Sequence, residues 1–327
     1  MIFIRALFSF VAFIAFVSPL KADESATVVF HAISDIPYSD SQEKLLEDTI
    51  IPALLAAQSP FLIHMGDIKG GGAACTDDVM KTRHGQIMRM HSDFVFFTPG
   101  DNDWTDCDRK KTGHPVSELE SLDKLRRLFY ANEPDYPESW HVARQALYPE
   151  NKRWTYKKIS FATLHLVGTN NGRIQIKKDD KSFALSQVTA RDKANKVWLR
   201  TLFQVAEDNQ TNAIVIAVQA DVTDNRYNDK CTREEPADCD GFYKFKKQLR
   251  KAAADFNKPV LLLHGDTSAY CMDRQFGGEK ASKLWRFNSA GDYKVLDAVK
   301  ITVQPSNPDT PFKMESLREG IAPEERC

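Results

Sequence analysis

Three β-type apolar runs in this chain end in glycine-aspartate. Phe61–Met65 leads into Gly66-Asp67, Phe94–Pro99 into Gly100-Asp101, and Val260–His264 into Gly265-Asp266. A fourth run, from Thr27-Val28-Val29-Phe30 onward, reaches Asp35 without the glycine. Short, continuously apolar runs suit strands buried on both faces. Strands of one sheet that each deliver a carboxylate at the carboxyl end would gather several negative charges. Such a cluster is unfavourable unless a cation or protons neutralise it, so the pattern points to a metal site. The competing reading is that Gly-Asp makes a turn whose aspartate caps the next helix. One pair alone would read that way, whereas three at strand ends favour metal binding.

The first 22 residues read as a secretory signal peptide. One positive charge lies within Met1–Arg5, Ala6–Val17 is apolar, and Ser18-Pro19-Leu20-Lys21-Ala22 resembles a cleavage region. The alternative, an uncleaved anchor, is disfavoured because the run is short for a bilayer. Residues 23–327 are then expected to form a single domain that is secreted or periplasmic and has no later membrane span. A net charge of −1 gives no electrostatic case for nucleic acid or anionic lipid. The expected partner is a small molecule.

Six cysteines in an exported chain point to disulfides, and none of their spacings is a zinc C-x-x-C pattern. Cys231 and Cys239 bracket a polar loop. Cys75 and Cys107 each follow a Gly-Asp turn, and a bridge between them would tie two site loops together. Cys271 and Cys327 remain. Six cysteines permit many other pairings.

Beyond the first strand, Ser41–Gln58 has helical apolar spacing, with Pro52 able to kink or divide it. Ser117-Glu118-Leu119-Glu120 is a capping box that opens a helix through Phe129. Arg153–Tyr156 and Ser160–Val167 read as paired strands, Asp192–Ala206 as a helix, Ala213–Val218 as a buried strand, and Phe242–Phe256 as a basic amphipathic helix. Leu284–Val303 reads as two or three strands, followed by a polar tail. Alternating strands and helices with a β-rich end predict an α/β sandwich. Ligands of open α/β sheets sit beyond the carboxyl ends of strands, which is where Asp35, Asp67, Asp101 and Asp266 fall.

The order of these turns resembles the calcineurin-like metallophosphoesterases. That family carries Asp-x-His, Gly-Asp, Gly-Asn-His-Glu/Asp, a lone His after an apolar strand, and Gly-His-x-His. The corresponding pieces here are Asp35-Ile36-Pro37, Gly66-Asp67, Gly100-Asp101-Asn102-Asp103, Gln219 after Ile216-Ala217-Val218, and Gly265-Asp266-Thr267-Ser268. The resemblance spans nearly all of residues 23–327. It implies a four-layer αββα sandwich and a hydrolase of phosphate mono- or diesters.

The same resemblance implies a histidine-depleted site. One family metal would use Asp35, Pro37, Asp67 and Ser268. Proline offers no side-chain ligand and serine replaces imidazole poorly. The other would use Asp67, Asp101, Gln219 and Asp266, all with side-chain oxygens, and Asp35 could ligate a weaker second ion. An oxygen set suits Mn²⁺, Mg²⁺ or Ca²⁺ better than zinc or iron, and one ion better than two. The leaving-group acid position falls on Asn102, or on Asp103 if the register slips by one, with His264 as a stand-in. Trp104 could wall a substrate pocket and Arg109 could pair a phosphate. Alternatively Arg109 is salt-bridged to a neighbouring aspartate in a disulfide-tied loop. A binding protein that has lost catalysis is the other function compatible with the missing histidines.

Overall fold

The computed structural model describes residues 27–224, 226–291 and 294–327. The signal peptide expected at 1–22 lies outside the described residues. The strands form two mixed sheets. The first runs β12–β11–β1–β2–β3. In it β1 (Val28–Ile33), β2 (Leu62–His64) and β3 (Val95–Phe97) are parallel, while β11 (Val299–Val303) and β12 (Phe312–Ser316) add antiparallel. The second has the order β4–β5–β6–β7–β8–β10–β9. Its parallel centre is β6 (Ile159–Thr163), β7 (Ala213–Ala217), β8 (Val260–His264) and β10 (Leu284–Asn288). Antiparallel strands flank that centre: β4 (Ala143–Gln145) and β5 (Tyr148–Tyr156) on one side, β9 (Cys271–Asp273) on the other.

Strand periodicity explains the apolar runs. Val28, Phe30 and Ala32 of β1, Phe61, Ile63 and Met65 around β2, Val215 and Ala217 of β7, and Leu261 and Leu263 of β8 share one core cluster. Intervening residues turn to the opposite faces. Ile33, Leu62 and Phe97 join residues of the helices Asp40–Leu45, Ile51–Ala57, Asp77–Met88 and Glu118–Phe129. Ile214, Ile216, Val260 and Leu262 join the helices Lys181–Asp208 and Tyr243–Phe256. Each central strand is therefore apolar on both faces. Phe61 meets Phe30, Trp154 and Phe161 at ring-centroid distances of 5.4, 5.4 and 5.0 Å, and Phe96 stacks on Trp154. Burying each such ring contributes about 2–3 kcal/mol.

Local signals account for most helix ends. Ser39 caps Asp40–Leu45, and Pro52 is accommodated by a wider π turn at Leu46–Ile50 just before it. Ser117 Oγ accepts the Glu120 N–H at 3.0 Å, as the capping box predicts. The helix predicted over Asp192–Ala206 starts earlier, at Lys181, because Asp180 caps it by accepting the Phe183 N–H. Its inward face includes Arg191 and Asn195, which interrupt the apolar spacing that sequence reading relies on. The C-terminal segment is also more than a polar tail. In β12 Phe312 and Met314 are buried while Lys313 is exposed, the alternation of a half-buried edge strand.

The cysteines pair as Cys75–Cys107, Cys231–Cys239 and Cys271–Cys327, with Cα–Cα distances of 5.6, 4.9 and 5.1 Å. The first ties the loop after β2 to the loop after β3.

Candidate metal centre

Five strand ends from the two sheets converge. β1 leads to Asp35, β2 to Asp67, β3 to Asp101, β7 to Gln219 and β8 to Asp266. Asp35, Asp67 and Asp266 adopt left-handed φ angles of 57°, 55° and 77°, a conformation that aspartate tolerates better than bulkier residues. The turns are stitched together by Asp103. Its carboxylate accepts the N–H groups of Gly100 (2.7 Å), Ile68 (2.9 Å) and Asp67 (3.0 Å). The glycines are needed for close approach. A Cβ on Gly100 would stand 1.9 Å from Asp67 Oδ1. One on Gly168 would stand 2.6 Å from Asp101 Oδ2 and 2.7 Å from Asp266 Oδ1.

Asp67, Asp101 and Asp266 each offer an oxygen, and the three oxygens lie within 4.8 Å of one another. The groups that bond to them directly are neutral. Asn102 Nδ2 donates to Asp67 Oδ2 at 2.9 Å, and Thr169 Oγ1 donates to Asp101 Oδ2 at 2.7 Å. Gln219 Nε2 donates to Asp266 Oδ1 at 3.0 Å, and the Asp221 N–H donates to Asp266 Oδ2 at 3.2 Å. Tyr38 Oη lies 3.0 Å from Asp35 Oδ1 and 3.1 Å from Asp67 Oδ2. Burial, then the Asp101 and Asp35 charges, push the Asp67 and Asp266 carboxyls well above the usual carboxylate range. Lys69 is buried close enough to feel these charges, with its Nζ on the Ala73 carbonyl at 3.1 Å.

A divalent cation fits this donor set. Ligand oxygens at roughly 2.0–2.6 Å from a hard ion stand at most about 5 Å apart, which accommodates the observed spread. The missing Cβ of Gly168 leaves room beside two of the three carboxylates.

No protein-family model matches the chain, and no curated protein sequence matches it. Among solved structures, that of PhoD matches with a TM-score of 0.53 and 15% identity. The match covers 89% of this chain and 65% of that one, so this chain spans just under two thirds of its neighbour's length. The fold is distantly phosphoesterase-like. A second structure, GAP50, the anchor in the inner membrane complex of Plasmodium, matches with a TM-score of 0.48 and 10% identity over 90% of this chain and 86% of that one.

On this phosphoesterase-like frame several residues are placed differently from the sequence reading. Gln219 does not turn its oxygen to the carboxylates. Gly168 N–H occupies Oε1 at 2.8 Å, and the amide nitrogen faces Asp101 and Asp266 instead. Asp35 stands outside the three-oxygen group; it bonds Tyr38 Oη and accepts the Asp266 N–H at 3.2 Å. Asp103 lies in the turn behind the centre, bonded to three backbone N–H groups. Burial raises its carboxyl to about 6 while those N–H groups hold it back. His264 is turned away as well. Its Nδ1–H is directed at Gly265 O (2.8 Å), and Nε2 faces the Arg286 guanidinium (3.3 Å), which also pairs with Asp221. Asn102 does reach the centre, through Asp67 and Tyr38 Oη.

Arg109 forms an ion pair with Asp106, in the loop closed by Cys75–Cys107. Trp104 is 2% exposed and packs against Leu122 and Val167. Tyr38, Thr169 and Asp221 were not singled out from sequence. Tyr38 follows Asp35 within the same turn. Thr169 belongs to a left-handed turn, with φ near 54–59° at Thr169, Asn170 and Asn171, whose Asn-Asn-Gly signature was visible only as a turn.

Proposed function

We propose that the chain is an exported, metal-dependent phosphoester hydrolase that holds one hard divalent cation, Mn²⁺, Mg²⁺ or Ca²⁺, on Asp67, Asp101 and Asp266. One observation carries this reading: three carboxylates, those of Asp67 and Asp101 buried and that of Asp266 partly buried, share a point, and their direct hydrogen-bond partners are all neutral. That point lies beyond the carboxyl ends of the strands, where ligands of open α/β sheets sit, and this supports the reading. A bound cation supplies charge for the phosphoryl oxygens and lowers the pKa of water.

The chain's own residues have positioning roles. Asn102, Thr169 and Gln219 orient the three carboxylates, Asp103 fixes both turns, and Arg109 stands near the centre on Asp106. Asp103 and His264 have their hydrogen-bonding capacity committed elsewhere, so the proposed substrates are phosphate mono- or diesters whose leaving group departs without a proton, such as aryl esters. Three of the core clusters support a four-layer αββα arrangement and one domain over residues 23–327. The three disulfides support an oxidising, secreted or periplasmic location. No helix among the described residues is long and apolar enough to cross a membrane.

The commitments of Asp103 and His264 also favour a second reading, a binding protein that keeps the cation and a phosphorylated ligand without turnover. Metal analysis followed by assays of aryl and alkyl phosphate esters with each ion separates the two. The hydrolase reading expects aryl ester cleavage that is lost in Asp266→Asn. Bound cation without cleavage of any ester establishes the second reading, and a full complement of zinc or iron overturns the oxygen-ligated site.

A further inference from the structure

The helix Lys181–Asp208 turns one arginine into the interior. Arg191 is 3% exposed, and its guanidinium lies 5.2 Å from the Trp104 ring centroid. One of its nitrogens reaches Asn171 O at 2.7 Å and Asn171 Oδ1 at 3.2 Å. Neighbouring cations have carboxylate partners: Arg126 pairs with Glu150 and Arg173 with Asp192. Among the described residues Arg191 has no such ion pair within 4.0 Å. Its Nε hydrogen and the indole N–H of Trp104, itself 2% exposed, have no acceptor.

Arg191 and Trp104 both line a cavity of about 170 Å³ beside the helices Glu118–Phe129 and Lys181–Asp208. Leu122, Val188 and Phe183 give it apolar walls, and Phe183 is 56% exposed at its open edge. Two acidic residues share the lining. Burial, then the nearby Asp108, raise Glu118 to about 9, which leaves it neutral near pH 7. The Asp123 side chain is 64% exposed and screened by solvent.

We infer that this cavity binds a small organic carboxylate, with its oxygens on the Arg191 guanidinium and its apolar part between Leu122, Val188 and Phe183. A buried guanidinium without a counter-ion is unfavourable, and a carboxylate supplies both the charge and the planar acceptor geometry that arginine matches. One unpaired positive charge suits a monoanion better than a phosphate dianion, and the apolar wall selects an acid with a ring or branched chain. The volume is below the roughly 300–1,000 Å³ of sites for drug-sized ligands, so the ligand is of about benzoate size. The inference is independent of the metal centre, although the Gly168–Gly172 turn touches both: Thr169 bonds Asp101, and Asn171 bonds Arg191.

The test titrates the full chain with benzoate, benzamide and inorganic phosphate, reading thermal stability and the change in tryptophan fluorescence. Benzoate is expected to raise Tm in a dose-dependent way and to bind about tenfold or more tightly than benzamide or phosphate. Arg191→Met removes the charge, and Ala184→Leu narrows the cavity while leaving the guanidinium in place; each is expected to abolish the benzoate effect. Equal binding of benzamide overturns the charged contact. Tighter binding of phosphate overturns the apolar one. Absence of any benzoate effect, or an effect that survives Ala184→Leu, overturns the site itself.

Discussion

Gln219 Nε2 stands 3.0 Å from Asp266 Oδ1, so an amide N–H occupies the side of the centre where a ligand oxygen was expected. The orientation is set from behind, because Gly168 N–H needs an acceptor and Gln219 Oε1 provides it at 2.8 Å. Gln219→Glu keeps that acceptor and turns a second carboxylate oxygen on Asp101 and Asp266. The expected outcome is a cation-free protein less stable by about 1–3 kcal/mol, and a larger Tm increase when Mn²⁺ or Ca²⁺ is added. Thermal unfolding with and without the ion checks both. A variant with unchanged cation-free stability would show that Gln219 does not face the carboxylates.

Asp67→Asn removes one charge from the cluster at nearly constant shape. Without a cation the variant is expected to be more stable than the parent by about 1 kcal/mol or more, while bound metal falls to background. The pH dependence follows from the raised carboxyls of Asp67 and Asp266. Groups with folded pKa values above their unfolded ones favour the fold at low pH, and that contribution is lost as pH rises through the folded values. Protons therefore compete with the cation, and cation affinity in the parent is expected to rise with pH. Calorimetric titration at several pH values measures this. An affinity that falls with pH, or a variant that retains its metal, contradicts the assignment.

The strand-end aspartates were legible because buried strands are continuously apolar and the Gly-Asp steps punctuate them. The division of those strands between two sheets was not, since β1 and β8 have the same pattern and only pairing separates them. The roles of the residues beyond each Asp were also hidden. An amide can donate or accept, so the sequence left Gln219 as a possible ligand until Gly168 fixed its orientation. Asp103 looked like a candidate acid because its use by three backbone N–H groups depends on how two turns meet. Tyr38 and Thr169 enter through left-handed turns whose direction follows from packing rather than from composition.

Buried histidines give the fold an acid limit. Burial lowers His64 to about 3, and burial followed by the Lys300 and His91 charges lowers His31 to about 4, from an ordinary 6.5. A histidine with a folded pKa below its unfolded one favours protonation of the unfolded chain. The histidine contribution to stability is therefore full above about 6.5 and declines as pH falls from there toward about 3, opposite in sign to that of the raised carboxyls. His31 has neither ring nitrogen bonded in the structure, so His31→Phe is expected to keep the fold and weaken the loss between pH 6.5 and 4. Urea midpoints at intervals across that range test the sign. A pH profile between 6.5 and 4 that is the same in His31→Phe as in the parent would refute the neutral, buried state of His31.

Asp103 offers the most direct test of how the centre is built. Its carboxylate holds the Gly100, Ile68 and Asp67 N–H groups, joining the turn after β2 to the turn after β3. Asp103→Asn retains one oxygen and presents an NH₂ group to donors, leaving at least one buried N–H without an acceptor. At about 1–3 kcal/mol for each orphaned group, the variant is expected to lose roughly 2–4 kcal/mol in denaturant unfolding. Asp67 and Asp101 are positioned by these turns, so cation affinity is expected to fall although neither ligand is changed. A variant that lost stability but bound the cation with parental affinity would show that the strands alone place the carboxylates.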